Sequence, residues 1–187
     1  MADTKEKKNV KCSVYIATSA DGFIAKPDGD IEWLHRPEYT VDNLEGMSYD
    51  EFIATVDGLV MGRHTFEKVL SFGVWPYEGT TVIVLSGSGM EIPDHLAGKA
   101  RVLSGTPGDI VAQLGEEGYT HLYIDGGNTV QQFLRAGLID EMTITCIPIL
   151  LGDGISLFGA IGKEVPLRLI ESSSSDNGFV QVRYAID

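Results

Sequence analysis

Twice along this chain a short apolar run ends on glycine and passes straight into an amphipathic segment. The first is Gly58–Met61, then Gly62-Arg63-His64-Thr65, after which Phe66, Val69 and Leu70 recur at helical spacing. The second is HLYID at 121–125, then Gly126-Gly127, then Val130, Phe133 and Leu134 on one helical face. A short continuous apolar run reads as a strand buried on both sides, and a strand that hands over to a helix is followed by a parallel neighbour. The repeated unit therefore predicts an α/β fold of three layers, a central and mostly parallel sheet with helices on both faces.

The remaining chain fits that frame. VKCSVYIAT at 10–18 reads as a first buried strand, and SADGFIAKPDGD at 19–30 has the Gly, Pro and Asp density of a loop. Ser48 followed by Glu51 makes a capping box, Phe52, Ile53 and Val56 give the helix an apolar stripe, and Gly58 suits its exit. TVIVL at 81–85 and RVLSG at 101–105 are further strands, and Thr106-Pro107 opens a helix bearing Ile110, Val111 and Leu114 that stops at Gly118. After Gly137 the pattern changes. EMTITCIPIL is extended, LRLIE and FVQVRYAI alternate, and Asn177-Gly178 marks a turn, so the sheet is expected to end in antiparallel strands. SSSSD at 172–176 is too short to separate domains, which leaves residues 10–187 as one domain and 1–9 as a loosely held or disordered start.

Charge and composition narrow the function classes. With 14 Lys and Arg against 27 Asp and Glu, a net charge of -13 argues against general binding to nucleic acid or to an acidic membrane, so any phosphate contact must be local. The polar MADTKEKKN lacks a hydrophobic signal core and no apolar run is long enough to span a bilayer, so a cytoplasmic location is expected. Cys12 and Cys146 lie in strand-like runs and read as buried thiols, and the four histidines show no paired spacing, so no metal site is expected.

Open α/β sheets bind ligands beyond the carboxyl ends of their strands. Gly62-Arg63-His64-Thr65 offers close backbone approach, a guanidinium fork and a helix start with free amides, all of which suit an anion. Asp125-Gly126-Gly127-Asn128-Thr129 offers a second helix start with unhindered glycines. Together they suggest one extended dinucleotide held at two helix ends. Neither G-x-G-x-x-G at the first strand-helix turn nor G-x-x-x-x-G-K-[ST] occurs, which disfavours a Rossmann dehydrogenase or a P-loop NTPase.

Val60-Met61-Gly62-Arg63-His64-Thr65-Phe66-Glu67 resembles the nicotinamide-cofactor motif of dihydrofolate reductase. Ile16-Ala17 with Asp21-Gly22-Phe23-Ile24 resembles that family's first strand and loop, Ile83-Val84-Leu85-Ser86 its adenosine strand, and 124–134 its second Gly-rich loop. Leu138-Ile139-Asp140-Glu141 with Pro148 to Gly154 is similar, more narrowly, to the reductase domain of the bifunctional riboflavin-biosynthesis deaminase/reductase and its stand-alone bacterial relatives. The resemblance implies a dihydrofolate reductase-like fold, NADPH as cofactor, and a small-molecule substrate. It places Ala17, Ile24, Gly62, Arg63, His64, Thr65, Leu85, Ser86, Gly126, Gly127, Asn128, Thr129 and Val130 around the cofactor. Trp33, Tyr49 and Asp50 become the expected substrate contacts, with Asp50 as proton donor. It also implies a homodimer through the C-terminal strands, whose LFGAI and VQVRYAI would leave apolar residues exposed on a lone edge.

The departures sharpen these expectations. The acid that holds the pterin in dihydrofolate reductase falls at Gly46, with Glu45 and Asp50 as nearby substitutes. Ser71 to Pro76 lacks the basic residue that meets a ribose phosphate in the riboflavin enzymes, and Gly87-Ser88-Gly89 lacks a cation for the 2′-phosphate, leaving that charge to Arg63. The expected activity is hydride transfer from NADPH to a nitrogen heterocycle or ribosylamino-pyrimidine. The alternatives are pterin reduction and non-catalytic cofactor binding.

Overall fold

The computed structural model describes residues 10–39 and 45–187, so the expected loose start at 1–9 lies outside the described residues. Eight strands form one sheet: β1 (Lys11–Ser19), β3 (Gly58–Gly62), β4 (Thr81–Leu85), β5 (Ala100–Leu103), β6 (His121–Asp125), β7 (Glu141–Ile147), β9 (Leu167–Ser174) and β10 (Val180–Ile186). Their order is β5-β4-β3-β6-β1-β7-β10-β9. The first five pairings are parallel, and β10 runs antiparallel to both β7 and β9.

Both faces of the parallel half are covered, as the unbroken apolar runs require. Side chains alternate across the sheet, so Leu59, Met61, Val82, Val84 and Tyr123 pack on one side against Phe52 of α1 (Tyr49–Ile53) and Phe66 and Val69 of α2 (Arg63–Leu70). Val14, Val60, Ile83, Leu122 and Ile124 pack on the other against α3 (Pro107–Glu116) and α4 (Gly127–Arg135). A third cluster gathers Trp33, Ile147 and Phe179 where the antiparallel strands begin.

Several local expectations are corrected by long-range contacts. The helix after Ser48 has its capping box but lasts only from Tyr49 to Ile53. It stops because the next residues bond elsewhere: the Thr55 carbonyl lies 2.9 Å from His121 Nδ1, and the Asp57 carboxylate accepts Thr120 N–H and O–H (both 2.8 Å) and His121 N–H (3.1 Å). Gly58 is no helix exit. It begins β3 where a Cβ would lie 2.8 Å from the Tyr119 ring. The 19–30 segment is not all loop, since β2 (Phe23–Ala25) pairs with β8 (Ile155–Ser156). Asp21 adds a clamp, accepting Ser19 Oγ–H (2.6 Å) and the amides of Leu151 (3.1 Å) and Gly152 (2.8 Å). Helix α2 starts at Arg63 rather than after Thr65, and Ser172–Ser174 continue β9 instead of forming a connection.

Asp57 ties the entry of β6 to the entry of β3. Burial raises its carboxyl, but the bonds from Thr120 and His121 outweigh that and hold it below the usual range. A carboxylate depressed in the folded state stabilises above its unfolded pKa of about 3.9 and loses that contribution as pH falls through its folded value. Asp57→Ala is expected to cost about 1 kcal/mol at pH 7, a modest figure because the group is partly in water, and less near pH 3; urea melts at the two pH values check this.

Candidate functional site

The central strands part company at their carboxyl ends. The β1–β6 ladder covers only Lys11–His121 to Ser13–Tyr123, while β3 follows β6 to Asp125 and β7 follows β1 to Ser19. Beyond Ser13 a crevice opens between β1 and β6, at the edge where open parallel sheets take ligands. Tyr123 reaches across it to donate its hydroxyl to the Tyr15 carbonyl at 2.8 Å, which satisfies a group the shortened ladder leaves unpaired.

On either side of β6 the two glycine loops lock together. Gly126 has φ +87°, and a Cβ there would strike Thr65 Oγ1. Reciprocally, a Cβ on Gly62 would stand 3.1 Å from Thr129 Oγ1. Each loop's glycine thus makes room for the other loop's threonine, and α2 and α4 start side by side. Neither helix has a side-chain cap, whereas α1 and α3 carry full capping boxes from Ser48 and Thr106. The amides at the first turns of α2 and α4 are left for a ligand, with the positive ends of both helix dipoles behind them.

These starts form one wall of a cleft of about 380 Å³ that brings together Gly62, Arg63, His64, Thr65, Leu85, Ser86, Gly126, Asn128 and Thr129. Of the expected cofactor residues, Ala17, Ile24, Gly127 and Val130 are not on its surface. Val130 is fully buried against the sheet. Gly127 packs beneath β2 and β8, where a Cβ would lie 2.9 Å from Ile24 Cδ1 and 3.0 Å from the Ser156 carbonyl. The cleft adds Ser88, Ser104, Gly105, Pro107 and Gln132, which sequence reasoning missed. The signal was present, because RVLSG-TP is another strand feeding a helix at the same edge. Among the described residues no Asp or Glu lines the cleft, in a chain of net charge -13. Arg63 is exposed and donates from Nε to Glu67 at 2.7 Å, an exposed pair worth under about 1 kcal/mol that a phosphate can displace.

The substrate-side expectations are rearranged. Trp33 lines no open mouth: it is 1 % exposed, packed with Ile147 and Phe179. Asp50 stands exposed on α1, so its carboxylate is solvated. The enclosed carboxylate is Asp125, at the end of β6 on the same face as Tyr15 and Tyr123. Burial pushes it up to about 6, partly offset by the Gly126 amide (2.8 Å) and the Tyr123 hydroxyl. The residue as a whole is half-buried, although its carboxyl is enclosed by protein. Tyr49 and Tyr77 lie within its field; Tyr49 is pushed up to about 12 by burial and then by the Asp125 and Asp50 charges. Tyr15 meets Tyr49 edge-on at 5.7 Å and stacks on Phe52 at 4.9 Å, which closes the aromatic wall. Asp125 was legible only as part of a glycine loop; nothing local announced its burial.

Gly46 is glycine for a physical reason. Its φ is +112°, and a Cβ would stand 2.5 Å from both Gln181 Oε1 and Ser173 Oγ. No acidic side chain fits there.

Three comparisons with known proteins agree with this geometry. A family model described as the RibD C-terminal domain matches residues 11–181. The Bacillus subtilis protein YwjB, itself uncharacterised, is 39% identical over 167 residues, covering 88% of this chain and 90% of its own. Among solved structures, a Shewanella sp. PV-4 protein assigned provisionally to riboflavin biosynthesis is 41% identical, with a TM-score of 0.88 over 95% of this chain and 99% of that one. The Thermotoga maritima diaminohydroxyphosphoribosylaminopyrimidine deaminase/5-amino-6-(5-phosphoribosylamino)uracil reductase shares the fold, with a TM-score of 0.71 and 16% identity over 97% of this chain and 58% of that one. So does the Enterococcus faecalis dihydrofolate reductase solved with NADP(H), at 0.64 and 20% over 95% and 96%.

The raised Asp125 carboxyl has a thermodynamic consequence. An acid whose folded pKa lies above its unfolded one weakens the fold as pH rises from about 4 through about 6, because the folded state must then hold a buried charge. Asp125→Asn is expected to be more stable than the parent by up to about 2 kcal/mol at pH 8 and nearly equal to it at pH 4. Thermal melts at both pH values measure the difference.

Proposed function

This chain belongs to the RibD C-terminal domain family, and from that premise we propose that it is an NADPH-dependent reductase. Its substrate on this reading is a nitrogen heterocycle or ribosylamino-pyrimidine, reduced in the manner of a 5-amino-6-(5-phosphoribosylamino)uracil reductase. The observation that carries the reading is an acid-free cleft, built on two uncapped helix starts, that ends beside a buried and protonatable carboxylate.

The amides opening α4, with Asn128 and Thr129, suit the pyrophosphate. Arg63, with Ser86, Ser88 and Ser104 around it, suits the adenosine phosphate, and among the described residues Arg63 is the one permanent cation lining the cleft. NADPH, when bound, supplies the hydride. Asp125, poised near neutrality in its burial, is the group to hold and deliver the proton that completes reduction of a C=N or C=O bond. Tyr49 and Tyr77, within the field of Asp125, suit a flat ring, with Tyr15 packed behind Tyr49. Pterin reduction in the dihydrofolate reductase manner is disfavoured by Gly46, whose surroundings exclude an acid. A purely cofactor-binding role is disfavoured by Asp125, since a buried charge without a use would only destabilise the fold.

Energy transfer from Trp33 or Trp75 to the reduced nicotinamide reports binding. NADPH is expected to bind in the micromolar range, and failure of both NADPH and NADH to bind below millimolar would overturn the reading. Arg63→Ala is expected to weaken NADPH by about 10- to 100-fold and NADH far less, the loss of charge-assisted bonds to one phosphate.

The proposal includes a homodimer. Leu167, Leu169 and Ile170 of the edge strand β9 and Val180 of β10 are 40–54% exposed, an apolar edge that a symmetric partner strand would cover. Sedimentation is expected to give twice the 20.3 kDa chain mass, and a monomer at micromolar concentration would remove this part.

A further inference from the structure

We propose that Gln181, in the last strand, is the positioning residue of the substrate side: its carboxamide fixes the Met47 peptide and so sets Tyr49 and Tyr15 against Asp125. Gln181 is 4% exposed and fully engaged. Its Oε1 accepts the Met47 N–H at 2.8 Å, and its Nε2 donates to the Met47 carbonyl at 3.0 Å and to Thr145 Oγ1 at 3.1 Å. The side chain thereby makes with Met47 the pair of bonds that one strand makes with another. Tyr15 donates its hydroxyl to the same Met47 carbonyl at 2.9 Å, so one peptide joins β10, β7 and β1.

The neighbouring residues are held the same way. Ser173 Oγ donates to the Glu45 carbonyl at 2.5 Å, and the Glu45 amide donates to Ser175 Oγ at 3.0 Å. Residues 45–47 are thus laid on the sheet by β9, β10 and the turn between them, and Gly46 lies under the clamp because no side chain would fit. Met47 is followed at once by Ser48, the cap of α1, and Tyr49, its first residue. A fixed Met47 fixes the start of α1, and with it the ring of Tyr49 against Tyr15. Three hydrogen bonds to one buried carboxamide exceed what packing alone would demand at this position, since an apolar side chain of the same shape would fill the space.

The inference rests on the reading of Asp125 and its tyrosines as the place where substrate reacts, and the test keeps the two apart. In 13C-labelled protein the Asp125 carboxyl is followed by NMR titration, its signal identified by Asp125→Asn, and NADPH affinity is measured on the same samples. Besides Tyr49, the groups that feel the Asp125 charge are Tyr77 and Tyr123, neither of which titrates in the range used. Gln181→Met keeps shape and loses all three bonds. Its Asp125 midpoint is expected to fall by about one pH unit as α1 loosens and water enters, with NADPH affinity unchanged within about twofold because the cofactor cleft lies across β6. Should that variant fail to fold, Thr145→Val removes one anchor of the carboxamide and is expected to give a smaller shift in the same direction. An unmoved midpoint in the folded variants overturns the positioning role. Absence of NADPH binding in the parent overturns the proposed function, and the Asp125 midpoint then still decides for or against Gln181.

Discussion

The contact on which the site depends is the crossed packing of two glycines against two threonines. Gly62 faces Thr129 and Gly126 faces Thr65, so the loops after β3 and β6 approach until each glycine meets the other loop's threonine side chain. A methyl group at Gly126 would push Thr65 away and meet a positive φ as well, a double penalty that only glycine avoids. Because the loops touch, α2 and α4 begin together and their unsatisfied amides point into one cleft. Among the described α-helices, α2 and α4 lack side-chain caps beside the full capping boxes of α1 and α3, which leaves their first-turn amides open to an anion.

The same strand, β6, also carries the buried carboxylate. Its last residue is Asp125, which pairs with Met61 of β3 but has no β1 partner, because the β1–β6 ladder ends at Tyr123. An acid on the helix before the Gly-Arg loop would serve the same ring position from the opposite wall. That route is closed here, since residues 45–47 are pressed onto β9 and β10 with no room beyond Cα at Gly46. The buried carboxylate therefore sits one residue from Gly126, so that a strand end and an uncapped helix start are adjacent in sequence.

That adjacency explains what could be read in the sequence. The parallel sheet, the three layers and most of the cleft at the starts of α2 and α4 follow from local patterns: apolar runs of strand length, glycine at their ends and amphipathic stripes after them. Arg63, Thr65, Ser86, Asn128 and Thr129 were legible because each lies within a few residues of such a turn. The substrate side was not, because it is assembled over long separations. Gln181 meets Met47 across 134 residues, Asp21 holds Leu151 across 130, and Trp33 is enclosed by Ile147 and Phe179. Asp50 looked eligible by its place on a helix, yet an exposed helix face solvates its charge, while Asp125 looked like turn chemistry and is the group that burial perturbs.

The overall charge makes the cleft's selectivity a local achievement. A chain at -13 repels a dinucleotide phosphate at long range, and most of its described cations are already committed: Lys11 and Arg183 to Glu141, Lys26 to Asp30, Lys99 to Glu78, Arg168 to Asp187. Arg63 too has a partner, but that partner is the next turn of its own helix, at the surface, where water and salt weaken the pair. The guanidinium is thus stored beside the cleft in a contact that a phosphate can outcompete. Asp and Glu are absent from the lining, so the helix dipoles and backbone amides act without opposition over the few ångströms that matter. A chain of net charge -13 can in this way keep a cleft whose described lining carries Arg63 and no acid, with Gly126 of that lining next in sequence to Asp125.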